Sequence, residues 1–237
     1  MLTWIAASTS SIAIATRVLG VPYRPPSIVA KVAATLDRLS GGRLILGMGG
    51  GYSDAEFRAF GLKVPTPRAK IEGLEEAVLV ARGLWSQPDF TFDGRHYRTA
   101  AANLEPKPPR RIPVWLGTFG PRALEVTGRV ADGWIPSLDM APPEAIPAMR
   151  ERIFDAARSA GRDPGEIRLV YNIEVRVGSG HPNPSVVSGS AAAVAERLAG
   201  LTELGFKGMN LMPVGQDPAE QVALLGREVL PVVRAEV

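Results

Sequence analysis

Arg43-Leu44-Ile45-Leu46-Gly47-Met48-Gly49-Gly50-Gly51 is the stretch that decides the fold. From Leu44 to Met48 both faces are apolar, the pattern of a parallel strand covered on both sides. The glycines that follow let backbone N–H groups come close to a ligand. Upstream, Gly41-Gly42 ends a helix that starts near Ser27. Ile28, Val29, Val32, Ala33 and Leu36 are spaced there as one buried stripe. Before it lie the proline-rich Val21-Pro22-Tyr23-Arg24-Pro25-Pro26 and a strand over Ile12 to Val18.

Downstream the alternation repeats. Strands are expected at Pro113–Leu116, Gly133–Pro136, Ile167–Val177 and Phe206–Met212. Helices follow from Pro121, from about Pro143 to Ala160, around Val194, Leu198, Leu201 and Leu204, and around Val222, Leu225, Val229 and Leu230. Between the second and third strands sit a helix over Pro67–Trp85 and a hairpin over Phe90–Tyr97, with Asp93-Gly94 as a two-residue turn. Strand-helix alternation means a parallel sheet covered by helices, an α/β fold. About six β/α units are present, whereas a closed (β/α)8 barrel has eight. Nothing reads as a linker, so residues 1–237 are taken as one domain.

The composition narrows the function. Net charge is +3 over 237 residues, yet no basic run exceeds Arg110-Arg111 and acidic residues are interleaved. That is a solvated surface, not the basic stripe of a nucleic-acid binder. No cysteine is present, which removes disulfides, thiolate nucleophiles and sulfur-based zinc sites. Two histidines, His96 and His181, are too few for a histidine-rich metal site, so no metal is expected. Met1-Leu2-Thr3-Trp4 lacks a signal peptide's basic start, and no apolar run reaches the ~18 residues of a membrane span. A cytoplasmic protein without membrane contact is the expectation.

Two glycine loops carry the chemistry. The first, Met48-Gly49-Gly50-Gly51, fails the dinucleotide pattern because, counted from Gly47, Tyr52 stands where the third glycine belongs. Ser53 and Glu56 after it form a capping box. Either a ligand contact or a tight turn explains this loop. The second, Gly117-Thr118-Phe119-Gly120-Pro121-Arg122, leaves a strand with Pro121 placed as the first helical residue. A helix N-terminus at a strand's C-terminal end suits an anion, and Thr118 with the backbone at Gly120 could hold a phosphate; an ordinary strand-helix turn is the alternative. Asn172 and Glu174 share one strand face and could line a pocket. No catalytic residue is assigned.

The run Thr35-Leu36-Asp37-Arg38-Leu39-Ser40-Gly41-Gly42-Arg43-Leu44-Ile45-Leu46-Gly47-Met48-Gly49-Gly50-Gly51-Tyr52 resembles the signature of the bacterial luciferase-like oxidoreductases. Arg82-Gly83-Leu84-Trp85, Phe92 to Tyr97, Pro106-Lys107-Pro108, Pro113 to Gly117, Ala131-Asp132-Gly133-Trp134 and Glu228-Val229-Leu230-Pro231 agree with it in order. The resemblance implies a luciferase-like TIM barrel that binds coenzyme F420 or, as the alternative, FMN. The deazaflavin branch is the more similar. It further implies a non-prolyl cis peptide between Arg17 and Val18, beside Thr16, in a bulge that supports the cofactor ring. The cofactor phosphate is then expected near Gly117, Thr118, Gly120 and Pro121, with Gly49, Gly50 and Tyr52 bordering the site.

Two departures from the family pattern stand out. Its sugar-phosphate dehydrogenases carry a glutamate where this sequence has Tyr52, which argues against that substrate class. Its members begin with two further β/α units, and Met1 to Thr9 resembles the tail of the second helix, so the barrel is expected to lack those units. The implied function is hydride transfer between F420 and a small organic substrate, in a homodimer. The alternatives are an FMN-dependent monooxygenase and a non-catalytic or truncated partner subunit.

Overall fold

The computed structural model describes residues 1–236, which divide into two compact units. The first holds Met1–Trp134 and Ile153–Ile167. Its elements are α1 (Leu2–Ser8), β1 (Ile14–Ala15), β2 (Leu19–Gly20), α2 (Pro26–Leu39), β3 (Leu44–Gly49), α3 (Asp54–Ala59), α4 (Pro67–Ser86), the hairpin β4 (Phe90–Asp93) and β5 (Arg98–Ala102), β6 (Val114–Leu116), α5 (Pro121–Val130) and β7 (Gly133–Trp134). Helix α6 (Ile146–Ser159) runs from the second unit into the first.

β3 is the centre of the first unit. It pairs in parallel with β1 and β2 on one side and with β6 on the other, and β6 pairs in parallel with β7. Leu44, Leu46 and Met48 are each at most 4% exposed and join Val29, Ala33, Leu74, Ala77, Val114 and Leu116 in one core. This is the doubly covered strand that its apolar run predicts.

Three local expectations change. The strand expected over Ile12–Val18 shortens to β1 (Ile14–Ala15): a bulge over Thr16 to Val18 interrupts the pairing, which resumes only at β2, beyond the expected strand. In α2 the buried face is Val29, Ala30, Ala33, Ala34 and Leu36, while Ile28 and Val32 are exposed. An apolar run wider than one helix face leaves the sheet to choose which side it covers. The hairpin turns through four residues, Gly94 to Tyr97, and not two. The cause is Glu76 of α4, whose carboxylate accepts the N–H groups of Arg95, His96 and Tyr97 at 2.8–2.9 Å and gathers the loop around itself.

The N-terminal ends of these strands are closed by charge. Asp37 is fully buried and accepts from Arg110 at 2.6 Å, and Arg110 also donates to the Leu44 carbonyl. Asp132 accepts from Arg82, Arg111 and the Val114 N–H. These contacts brace the strands' N-terminal ends; barrels of this kind bind ligands at the opposite, C-terminal ends.

The second unit holds Ile135–Arg152 and the described residues from Arg168 onward. β8 (Arg168–Val177) pairs in parallel with β9 (Val187–Gly189) and β10 (Gly208–Pro213). They are followed by α7 (Ala191–Thr202) after β9, and by α8 (Pro218–Leu224) and α9 (Leu230–Glu236), joined by a π-helical turn, after β10. Tyr171 is buried, stacks on Phe206 with centroids 4.3 Å apart and donates its hydroxyl to the Ala141 carbonyl. Burial pushes that hydroxyl's pKa up. All six expected β/α units are therefore realised. No helix among the described residues is long and apolar enough to cross a membrane.

Candidate functional site

The site is built on the C-terminal ends of β2, β3 and β6. Three residues, Thr16 to Val18, lie between Ala15 and Leu19, whereas only Leu46 and Gly47 lie between their partners Ile45 and Met48. The extra residue is a bulge. The Arg17–Val18 peptide bond within it is cis, at the position the family resemblance implies.

Thr16 closes the gap. Its hydroxyl donates to the Gly47 carbonyl at 2.7 Å and accepts the Gly47 N–H at 2.9 Å. A Cβ at Gly47 would fall 1.9 Å from the Thr16 carbonyl oxygen, and one at Gly49 would fall 2.8 Å from a Val18 methyl. β3 is thus bare where the bulge lies on it. The same Gly49 position is 3.7 Å from the Gly117 carbonyl oxygen, so the bulge, the end of β3 and the end of β6 meet there.

From Gly117 the chain enters α5. Gly120 is its N-cap and gives no side-chain cap, and Pro121 stands in the first turn. Ser53, Thr66, Ser190 and Asp217 each cap their own helices with a side-chain oxygen. The opposite end of α5 is satisfied by Arg162, which donates to the Gly128 and Ala131 carbonyls. A helix N-terminus with free N–H groups and a partial positive charge is a ready anion site. A Cβ at Gly120 would meet nothing within 4 Å, so the cradle opens outward. Arg122 in the first turn is exposed and has no ion-pair partner among the described residues.

The other expected site residues divide. Arg17 is exposed and Val18 is 37% exposed, both on the bulge. Gly50 turns toward α4, where its Cβ position would be 3.3 Å from Lys70. Tyr52 projects into solvent at 82% exposure, with no ring contact or side-chain hydrogen bond among the described residues. Thr118 is 2% exposed; Thr127 donates to the Ala123 carbonyl, so the Thr118 hydroxyl spends its proton on Thr127. It braces the loop, and the Trp134 indole N–H, donating to the Thr118 carbonyl at 2.8 Å, braces it further. In the second unit, Asn172 is buried, donates to the Ile135 carbonyl and accepts from Asn210, while Glu174 is exposed.

Sequence reasoning did not single out Gly47, which packs under the bulge, although it stands in the quoted run. The signal was available: it alternates with Gly49 on one face of a strand whose other face is entirely large and apolar. Half of the expected capping box is real. Ser53 accepts the Glu56 N–H, but the Glu56 carboxylate takes the Tyr23 hydroxyl instead of turning back. That bond pushes the Tyr23 pKa up to about 12, and the Lys70 ammonium holds Asp54 below the usual carboxylate range. Both groups keep their ordinary charge at neutral pH, so neither is poised as a general acid or base.

The family profile described as luciferase-like monooxygenase matches residues 1–182. The chain belongs to this luciferase-like family. Among curated relatives of this luciferase-like chain, an F420-dependent glucose-6-phosphate dehydrogenase of Kineococcus radiotolerans is 33% identical over 179 residues, 73% of this chain and 52% of that protein. A 5,10-methylenetetrahydromethanopterin reductase of Methanolobus tindarius is 32% identical over 166 residues, 70% of this chain and 49% of that protein. The chain spans about half the length of these two relatives in the matched regions. Among solved structures, an F420-dependent secondary alcohol dehydrogenase in complex with an F420-acetone adduct superposes with a TM-score of 0.86 at 21% identity. That match covers 97% of this chain and 82% of the other. The fold is the luciferase-like barrel type, here with six of its β/α units.

Proposed function

We propose that this luciferase-like chain is an F420-dependent oxidoreductase that moves a hydride between the deazaflavin and a small organic substrate. The observation that carries the reading is the uncapped start of α5, open at Gly120 and joined through Gly117 and Gly49 to the Val18 bulge. The residues fit a flat ring that carries a phosphate. The α5 N–H groups and Arg122 would hold the anion, and the bulge would back the ring. What F420 supplies when bound is a hydride donor or acceptor at its C5 carbon. The protein's part is positioning: a fixed bulge and a fixed anion site set where the ring lies.

The Kineococcus relative is named for F420, and the two relatives' names differ in substrate, which supports F420 more than any one substrate. Tyr52 stands where the family's sugar-phosphate dehydrogenases carry a glutamate, which argues against a sugar phosphate. The family's description as monooxygenases favours one second reading, FMN with molecular oxygen. Anaerobic turnover separates the two. Oxygen-independent oxidation or reduction of F420 with small alcohols or ketones supports the first; turnover only with FMN and oxygen replaces it with the second.

Gly120→Asp gives a sharper check. Aspartate is a better N-cap than glycine, and the position has room, so melting is expected to hold or rise slightly. The new carboxylate faces the anion site, so F420 affinity is expected to fall ~10-fold or more, ~1.4 kcal/mol per decade. Calorimetric titration beside a thermal melt reads both. Unchanged affinity would remove the phosphate from this helix.

A further inference from the structure

Among the described residues, Thr16 stands at the only place where the β3 ladder is served by a side chain on its β1–β2 side. Parallel strands ordinarily satisfy one another through backbone groups. Here the bulge lifts one residue out of register, and the N–H and C=O of Gly47 both turn to a single hydroxyl. A backbone N–H and C=O left unpaired inside a sheet each carry a desolvation cost, so the hydroxyl does what the missing backbone partner would have done. It does so two residues from Val18. The Val18 methyls lie over the bare glycines, one of them 2.8 Å from the Gly49 Cβ position and the other 3.4 Å from that of Gly47. No other side-chain hydrogen bond is recorded between residues 16–18 and the sheet among the described residues.

The Thr16 hydroxyl therefore commits its proton and one lone pair to Gly47. We propose that Thr16 is a positioning residue: by bridging the N–H and C=O of Gly47 it holds the Arg17–Val18 step against Gly47 and Gly49, and so presets the surface on which the cofactor ring rests. This rests on the proposed F420 reading for what the surface holds, but the clasp itself concerns only residues of the chain. A valine at position 16 keeps the shape and loses both bonds. A serine keeps both bonds and loses a methyl.

Three variants test it, read by cofactor titration, amide hydrogen exchange and thermal melting. Thr16→Val, Thr16→Ser and Trp85→Phe are titrated with F420 and with FMN, and their amide hydrogen exchange over residues 14–20 and 44–49 is measured without cofactor. Trp85→Phe removes a buried hydrogen bond to the Ala30 carbonyl, away from the site, and serves as the control for a general loss of stability. Thr16→Val is expected to weaken binding ~10-fold or more and to speed exchange in both segments; ~10-fold is ~1.4 kcal/mol. Thr16→Ser is expected to restore both to near the original values, and Trp85→Phe to lower the melt with binding unchanged. Binding by Thr16→Val equal to the original, or exchange in the two segments unchanged, overturns the inference. If the original protein binds neither cofactor, the F420 reading fails and the exchange data alone decide the clasp.

Discussion

Replacing Gly47 with alanine is expected to be the most damaging single-methyl change in the first unit. The new Cβ would sit 1.9 Å from the Thr16 carbonyl oxygen, a backbone atom that cannot swing aside as a side-chain end can. Either β3 moves or the bulge lifts, and both break the Thr16 clasp. Overpacking of this kind typically costs ~1–3 kcal/mol and sometimes more. With the clasp's hydrogen bonds lost as well, ~3 kcal/mol or more is expected. For a chain of this size that lowers the melting temperature by ~6–12 °C. Cofactor binding should be lost with it. Gly120→Ala is the matched control, because its Cβ would touch nothing within 4 Å. A thermal melt of the two variants checks the contrast, and equal small shifts would mean that the bulge does not lie on β3 as described.

Arg110→Met should be as costly for a different reason. Asp37 is fully buried, and its Oδ1 takes the Arg110 guanidinium at 2.6 Å and the Leu44 N–H at 3.3 Å. Removing the guanidinium strands a buried carboxylate, which typically costs ~3–5 kcal/mol. Removing both charges, as in Asp37→Leu with Arg110→Met, should recover most of that loss, since a well-packed apolar pair replaces a paired charge at little cost. Arg111→Met is the comparison. Its side chain is 64% exposed on Asp132, which keeps Arg82 as a second partner, so ~1 kcal/mol or less is expected. Denaturant unfolding of the four proteins reads the order directly. Equal losses for Arg110→Met and Arg111→Met would contradict the buried pair.

What the sequence revealed and what it hid follow from the range of each interaction. β3 was legible because burial on both faces writes itself as an unbroken apolar run. The start of α5 was legible because Gly120-Pro121 is local punctuation. The bulge was not legible from spacing, since Ile12 to Val18 alternates well enough for a continuous strand; its position came from family resemblance, and the Thr16 bonds to Gly47 span 31 residues of sequence. The hairpin loop was misjudged for the same reason, because the carboxylate that shapes it comes from Glu76, on another element. Thr118 looked like a phosphate ligand by residue type, and only packing reveals that its hydroxyl is taken by Thr127. Ile28 and Val32 show that periodicity tells how wide an apolar face is, not which part of it the sheet covers.

The central claim is that the bulge at Val18 and the start of α5 together hold a deazaflavin cofactor. The most direct measurement is an equilibrium titration of the unaltered protein with F420, and separately with FMN, followed by fluorescence and by the melting temperature. A ligand that binds only the folded state stabilises it by ~2.7 kcal/mol at a hundredfold excess over Kd. F420 is predicted to bind and to raise the melt by the corresponding amount, with FMN weaker. A melt unmoved by F420 at saturating concentration would contradict the claim.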